Sequence, residues 1–109
     1  MTRIELVYDR DCPNVAAARR QLRHAIAEAG RVPAWTEWDT RSAETPDRVR
    51  GFGSPTILVD GRDVTGEAPV ATDACCRIYA DGNAGERGVP PKASIVAALR
   101  AAGSGRPLP

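Results

Sequence analysis

Three cysteines, Cys12, Cys75 and Cys76, are the residues of this chain best suited to chemistry. Cys12 stands in Leu6-Val7-Tyr8-Asp9-Arg10-Asp11-Cys12-Pro13-Asn14, where a short apolar run gives way to a helical pattern. At such a junction the helix offers unpaired N–H groups and the positive end of its dipole, and both favour thiolate over thiol. The thiolate is the form that attacks soft electrophiles and the form that binds soft metals. Pro13 suits the first helical turn, where its missing N–H has no intrahelical partner to lose. A second punctuation mark, Gly53-Ser54-Pro55-Thr56, leads directly into the apolar run Thr56-Ile57-Leu58-Val59. Together the two marks point to a redox or thiol-binding fold.

The elements that must position these residues follow from periodicity. Ile4 to Tyr8 reads as a first strand, rich in β-branched and aromatic positions. Residues Asn14 to Ala29 read as a helix, with Val15, Ala18, Leu22, Ala25, Ile26 and Ala29 on one face and Arg19, Arg20, Arg23 and Glu28 elsewhere. Gly30 is its expected stop. Ala34 to Thr40 alternates as a second strand, and the spacing of Trp35 and Trp38 sends them to opposite faces. Ser42 to Arg50 reads as a short helix or turn, acidic at its start and basic at its end. Thr56 to Val59 is a third strand, Asp60-Gly61 a tight hairpin turn, and Arg62 to Thr65 its partner. Gly66 to Gly88 mixes Cys75-Cys76-Arg77-Ile78-Tyr79 with loop residues such as Asp81-Gly82-Asn83. Ser94 to Ala102 is a final helix that buries Ile95, Val96, Ala98 and Leu99 and ends at Gly103.

The expectation is therefore an α/β protein with a four-stranded mixed sheet flanked by helices, in the order β-α-β-α-β-β-α. At 109 residues one domain is the prior, over 1–103, with 104–109 as a flexible tail. The formal net charge of +1 and the 5% aromatic content argue against a nucleic-acid partner. No apolar run approaches the roughly 20 residues that span a bilayer, so no membrane is expected. No signal peptide is visible, which makes the cytoplasm the expected compartment. Three cysteines there read as reduced thiols rather than as a structural disulfide framework.

Five segments carry a resemblance over nearly the whole chain: Asp11-Cys12-Pro13-Asn14, Gly53 to Ile57, Val59 to Val64, Cys76-Arg77-Ile78-Tyr79 and Gly88-Val89-Pro90-Pro91. In these segments and in element order the chain resembles thioredoxin-like proteins, specifically small members labelled as selenoprotein relatives or as alkylmercury-lyase-like. The resemblance implies a thioredoxin-like fold in which Pro55 is cis and faces Cys12, with Pro13, Ser54, Pro55 and Thr56 shaping a substrate groove. A dithiol oxidoreductase carries Cys-x-x-Cys, whereas here the motif is Cys12-Pro13-Asn14-Val15. That leaves a monothiol mechanism or a resolving cysteine from elsewhere. The hairpin returns the chain toward the Cys12 end of the sheet, which allows either Cys75 or Cys76 that second role, and the resemblance favours Cys76, which matches the family pattern.

The implied function is thiol-dependent redox chemistry without a cofactor, on a thiol or disulfide of a protein or small molecule. Two rivals stand beside it. Cys12, Cys75 and Cys76 form a soft ligand set for Hg(II), Cu(I) or Zn(II), with Asp9 or Asp11 as the acid of an organomercury cleavage. Alternatively the fold serves as a non-catalytic binding or accessory module. Each residue also has a packing role to weigh: cysteines are often small buried hydrophobes, Tyr8 and Tyr79 fit core or rim sites, and His24 fits solvent. Arg19, Arg20 and Arg23 fit a solvated helix face, or a site that attracts an anionic thiol.

Overall fold

The computed structural model describes residues 2–66 and 88–104, with side chains as far as Ala102. Strand β1 (Ile4–Tyr8) leads into helix α1 (Val15–Glu28), strand β2 (Thr36–Asp39) and the single-turn helix α2 (Asp47–Arg50). Strands β3 (Thr56–Val59) and β4 (Arg62–Asp63) form a hairpin, and helix α3 (Lys92–Ser104) closes the described chain. The sheet order is β2-β1-β3-β4, with β1 parallel to β2 and antiparallel to β3, and β4 antiparallel to β3. This is the expected α/β architecture with a mixed four-stranded sheet. Among the described residues no helix is long and apolar enough to cross a membrane.

β1 and β3 occupy the middle of the sheet, and their side chains alternate between two covered faces rather than between core and solvent. Ile4, Leu6, Ile57 and Val59 join Ala18, Leu22, Ala25, Ile26, Ile95, Val96 and Leu99 of α1 and α3. Val7 and Leu58 turn to the other face, where Val49 and Phe52 complete a smaller cluster. Trp35 packs against the first cluster and Trp38 against the second, so the two indoles divide between the faces as their spacing predicts.

Helix α1 ends where Gly30 was expected to stop it. Gly30 takes φ +71°, its N–H donates to Ala27 O, and the Arg31 N–H donates to Ile26 O. This is a Schellman closure, which satisfies carbonyls the last turn would leave open. The hairpin turn is equally local in origin: Asp60 (φ 52°) and Gly61 (φ 84°) both have positive φ, the conformation of a type I′ turn.

Several boundaries differ from expectation. Pro13 lies outside α1, which begins at Val15 with Asn14 as its cap residue, because the chain first makes a turn in which the Cys12 N–H donates to Asp9 O. β2 begins at Thr36 rather than Ala34, after a tight turn in which the Ala34 N–H donates to Val32 O. Only Asp47–Arg50 of the Ser42–Arg50 segment is helical, with extended Pro46 before it. β4 stops at Asp63 because its side chain takes both the N–H and the hydroxyl of Thr65, an Asx turn that leads the backbone out of the ladder. Helix α3 runs through Gly103 to Ser104, so Gly103 is not its stop; a helical glycine costs about 1 kcal/mol relative to alanine but does not forbid the helix.

Candidate functional site

The described site residues lie at one end of the two central strands. Val7 pairs with Thr56 across the antiparallel β1–β3 ladder. Continuing that register sets Asp9 beside Ser54, and the Asp9 N–H donates to Ser54 Oγ at 2.9 Å. Asp9 then governs the loop that follows. Its carbonyl accepts the Cys12 N–H at 2.9 Å and its Oδ1 accepts the Asp11 N–H at 2.9 Å. Thus one residue ties the loop carrying Cys12 to the loop carrying Ser54 and Pro55, although the two cysteine and proline motifs lie more than forty residues apart in sequence.

The Cys12 side chain is buried, with 7% exposure. Pro13 is exposed and lies before the helix. Ser54, Pro55 and Thr56 are all buried, and the Thr56 hydroxyl donates to Gly53 O. The Ser54–Pro55 bond is cis, as the resemblance implied. Cys75 and Cys76, together with Tyr79, lie outside the described residues, so the expected resolving thiol and two of the three sulfurs of the ligand set fall there too. Among the described residues there is no group of three or more His, Cys, Asp or Glu side chains placed to hold a metal.

The sequence reading missed an ion-pair network around the Cys12 loop. Arg41, just beyond β2, reaches Asp9 Oδ2 with Nε at 3.2 Å and Asp11 Oδ2 with a terminal nitrogen at 2.6 Å. Arg10 pairs with Asp39 at 2.9 Å, and Asp39 Oδ1 accepts the Arg41 N–H. The nearby carboxylates hold the Arg41 guanidinium above its ordinary range, Asp11 first and Asp9 second. Asp9 and Asp11, named as acids in the organomercury reading, are therefore both engaged by Arg41. The pairing was hidden because β2 and its loop reach this end only through the parallel β1–β2 crossover; the legible signal was the charge alternation Asp9-Arg10-Asp11 opposite Asp39-Thr40-Arg41.

The helical arginines separate by role. Arg19 holds Glu37 through three contacts of 2.8 to 3.2 Å and lies over the Tyr8 ring at 5.5 Å from its centroid. The Arg19 hydrogen bonds keep the Glu37 carboxyl below its ordinary range against the opposing effect of burial, with a further hydrogen bond from Trp35. Arg20 and Arg23 are exposed, and so is His24, as expected. A pocket of about 140 Å³ opens beside α1, lined by Asn14, Arg20, Gln21, His24, Gly88 and Val89 among others. Gly88 comes so close to Asn14 that a Cβ there would collide with the Asn14 amide.

Compared with protein-family models, with curated proteins and with solved structures, the chain matches none.

Proposed function

We propose that this chain is a thioredoxin-like, thiol-dependent redox protein with Cys12 as its nucleophile. The observation that carries the reading is the joining of two loops by Asp9, whose carbonyl accepts the Cys12 N–H and whose own N–H donates to Ser54 Oγ at one end of β1 and β3. The strand order β2-β1-β3-β4 and the hairpin into α3 support the same reading. The Cys12 thiolate attacks one sulfur of a substrate disulfide, forming a mixed disulfide and releasing the other sulfur as a thiolate. Cys76, or Cys75, then attacks the Cys12 sulfur as a thiolate and releases the second substrate thiolate. The substrate gains two electrons, the protein gains one disulfide, and the two protons lost by the protein thiols neutralise the product thiolates. A thiol reductant restores the dithiol. In this reading exposed Pro13 forms the rim of the groove, and buried Ser54, Pro55 and Thr56, at the entry to β3, form its floor.

The test maps the three thiols by mass spectrometry after mild peroxide and alkylation, against a reduced control. The proposal predicts a Cys12–Cys76 or Cys12–Cys75 link. If all three cysteines stay unmodified in the folded protein, the redox reading fails. The 7% exposure of Cys12 favours one second reading, a non-catalytic binding module in which the cysteine only packs. That reading predicts that Cys12→Ser leaves partner binding unchanged.

A further inference from the structure

We infer that Arg41 is a positioning residue for Cys12, cancelling the negative charge of the loop that carries the thiol. The inference rests on the reading of Cys12 as a nucleophile. Asp11 directly precedes Cys12, and Asp9 accepts the Cys12 N–H through its carbonyl. Two carboxylates so close in the chain disfavour a third negative charge, which here is the thiolate.

Arg41 is built to remove it. One guanidinium spans both carboxylates, with Nε on Asp9 at 3.2 Å and a terminal nitrogen on Asp11 at 2.6 Å. Asp11 is 66% exposed, and a surface carboxylate has no need of an ion pair for its own solvation. Among the described residues, the charged side chains of this network are Asp9, Arg10 and Asp11 from the Cys12 loop and Asp39 and Arg41 from β2 and its loop. Three acids against two bases leave one negative charge, and loss of the Arg41 charge leaves two. The planar fork also explains arginine rather than lysine, since an ammonium is a single point charge that cannot hold both partners in one fixed geometry.

The test measures iodoacetamide alkylation at the Cys12 peptide across a pH series, with folding checked by circular dichroism. Arg41→Gln keeps a hydrogen-bonding side chain and removes the charge. It should slow alkylation at pH 7 by roughly three- to tenfold, the effect of removing one compensating charge from the loop that carries the thiol. Arg41→Lys should fall between, and high salt should narrow the gap. The double variant Asp11→Asn/Arg41→Gln removes the tether as fully as the single variant but restores the charge balance, so its rate should return toward wild type. A double variant that stays slow assigns Arg41 a purely structural role and overturns the inference. So does an Arg41→Gln protein that reacts like wild type. A wild-type Cys12 that alkylates only after unfolding overturns the nucleophile reading itself, and the Arg41 role with it.

Discussion

The two faces of the sheet are held by different forces. Among the described residues, twelve buried apolar residues lock together on the α1–α3 face. On the α2 face the described apolar cluster is Val7, Val49, Phe52 and Leu58, and a carboxylate is buried with them. Glu5 of β1 is 1% exposed. It accepts hydrogen bonds from Trp38 Nε1 at 2.7 Å and from both terminal nitrogens of Arg48 at 3.1 and 2.6 Å, with Arg3 at 3.4 Å. The difference teaches why a four-residue helix stays in place. α2 is too short to hold itself by backbone bonds, and one buried turn supplies little apolar area. Its Arg48, gripping a carboxylate inside the sheet, supplies the missing attachment.

Removing apolar contact should therefore hurt most on the first face. Leu22, fully buried between α1 and the sheet, should lose about 2–5 kcal/mol as Leu22→Ala, read as a lower denaturant midpoint with unchanged slope. A variant within 1 kcal/mol of wild type would mean that this face is not the main core.

Breaking the charge on the second face should have a smaller effect with a different signature. Glu5→Gln should cost about 1.5–3 kcal/mol at neutral pH, the range for hydrogen bonds to a charged group. Burial pushes the Glu5 carboxyl upward, but the Arg48 and Trp38 hydrogen bonds and the charges of Arg48 and Arg3 outweigh it and leave it below its ordinary 4.5. A lowered carboxyl stabilises the fold above the unfolded value, and that contribution is lost as pH falls through the lower folded value. The gap between wild type and Glu5→Gln should thus be widest above pH 4.5 and close below it. Urea unfolding at a series of pH values reads this directly, and a gap independent of pH would rule out ionised Glu5 as the attachment of α2.

The same contrast explains what the sequence revealed. The apolar face was legible, because α1 writes Val15, Ala18, Leu22, Ala25 and Ile26 at helical spacing and each of them is buried. The hairpin was legible from Asp60-Gly61, the divided tryptophans from their spacing of three, and the cis bond at Pro55 from the resemblance. The charged face was not. Nothing in the identity of Glu5 marks it as buried, because its partners Trp38 and Arg48 lie 33 and 43 residues away and meet it only after β2 and α2 are laid down. The site divides in the same way. Cys12 stood out at once, whereas Asp9 and Arg41 gain their meaning from strands brought together by the crossover. Helix and strand ends were displaced by local turns at Cys12, Ala34 and Asp63, whose hydrogen bonds override periodicity.

The central claim is that the thiol at the meeting of these loops exchanges with disulfides. The direct measurement is reduction of a small chromogenic aromatic disulfide by wild-type protein and by Cys12→Ser, in the presence of a thiol reductant that turns over slowly alone. The account predicts catalytic turnover by the wild type and a fall to the reductant-only rate in Cys12→Ser. Equal rates from the two proteins, both folded, would contradict it and leave Cys12 as a packing residue.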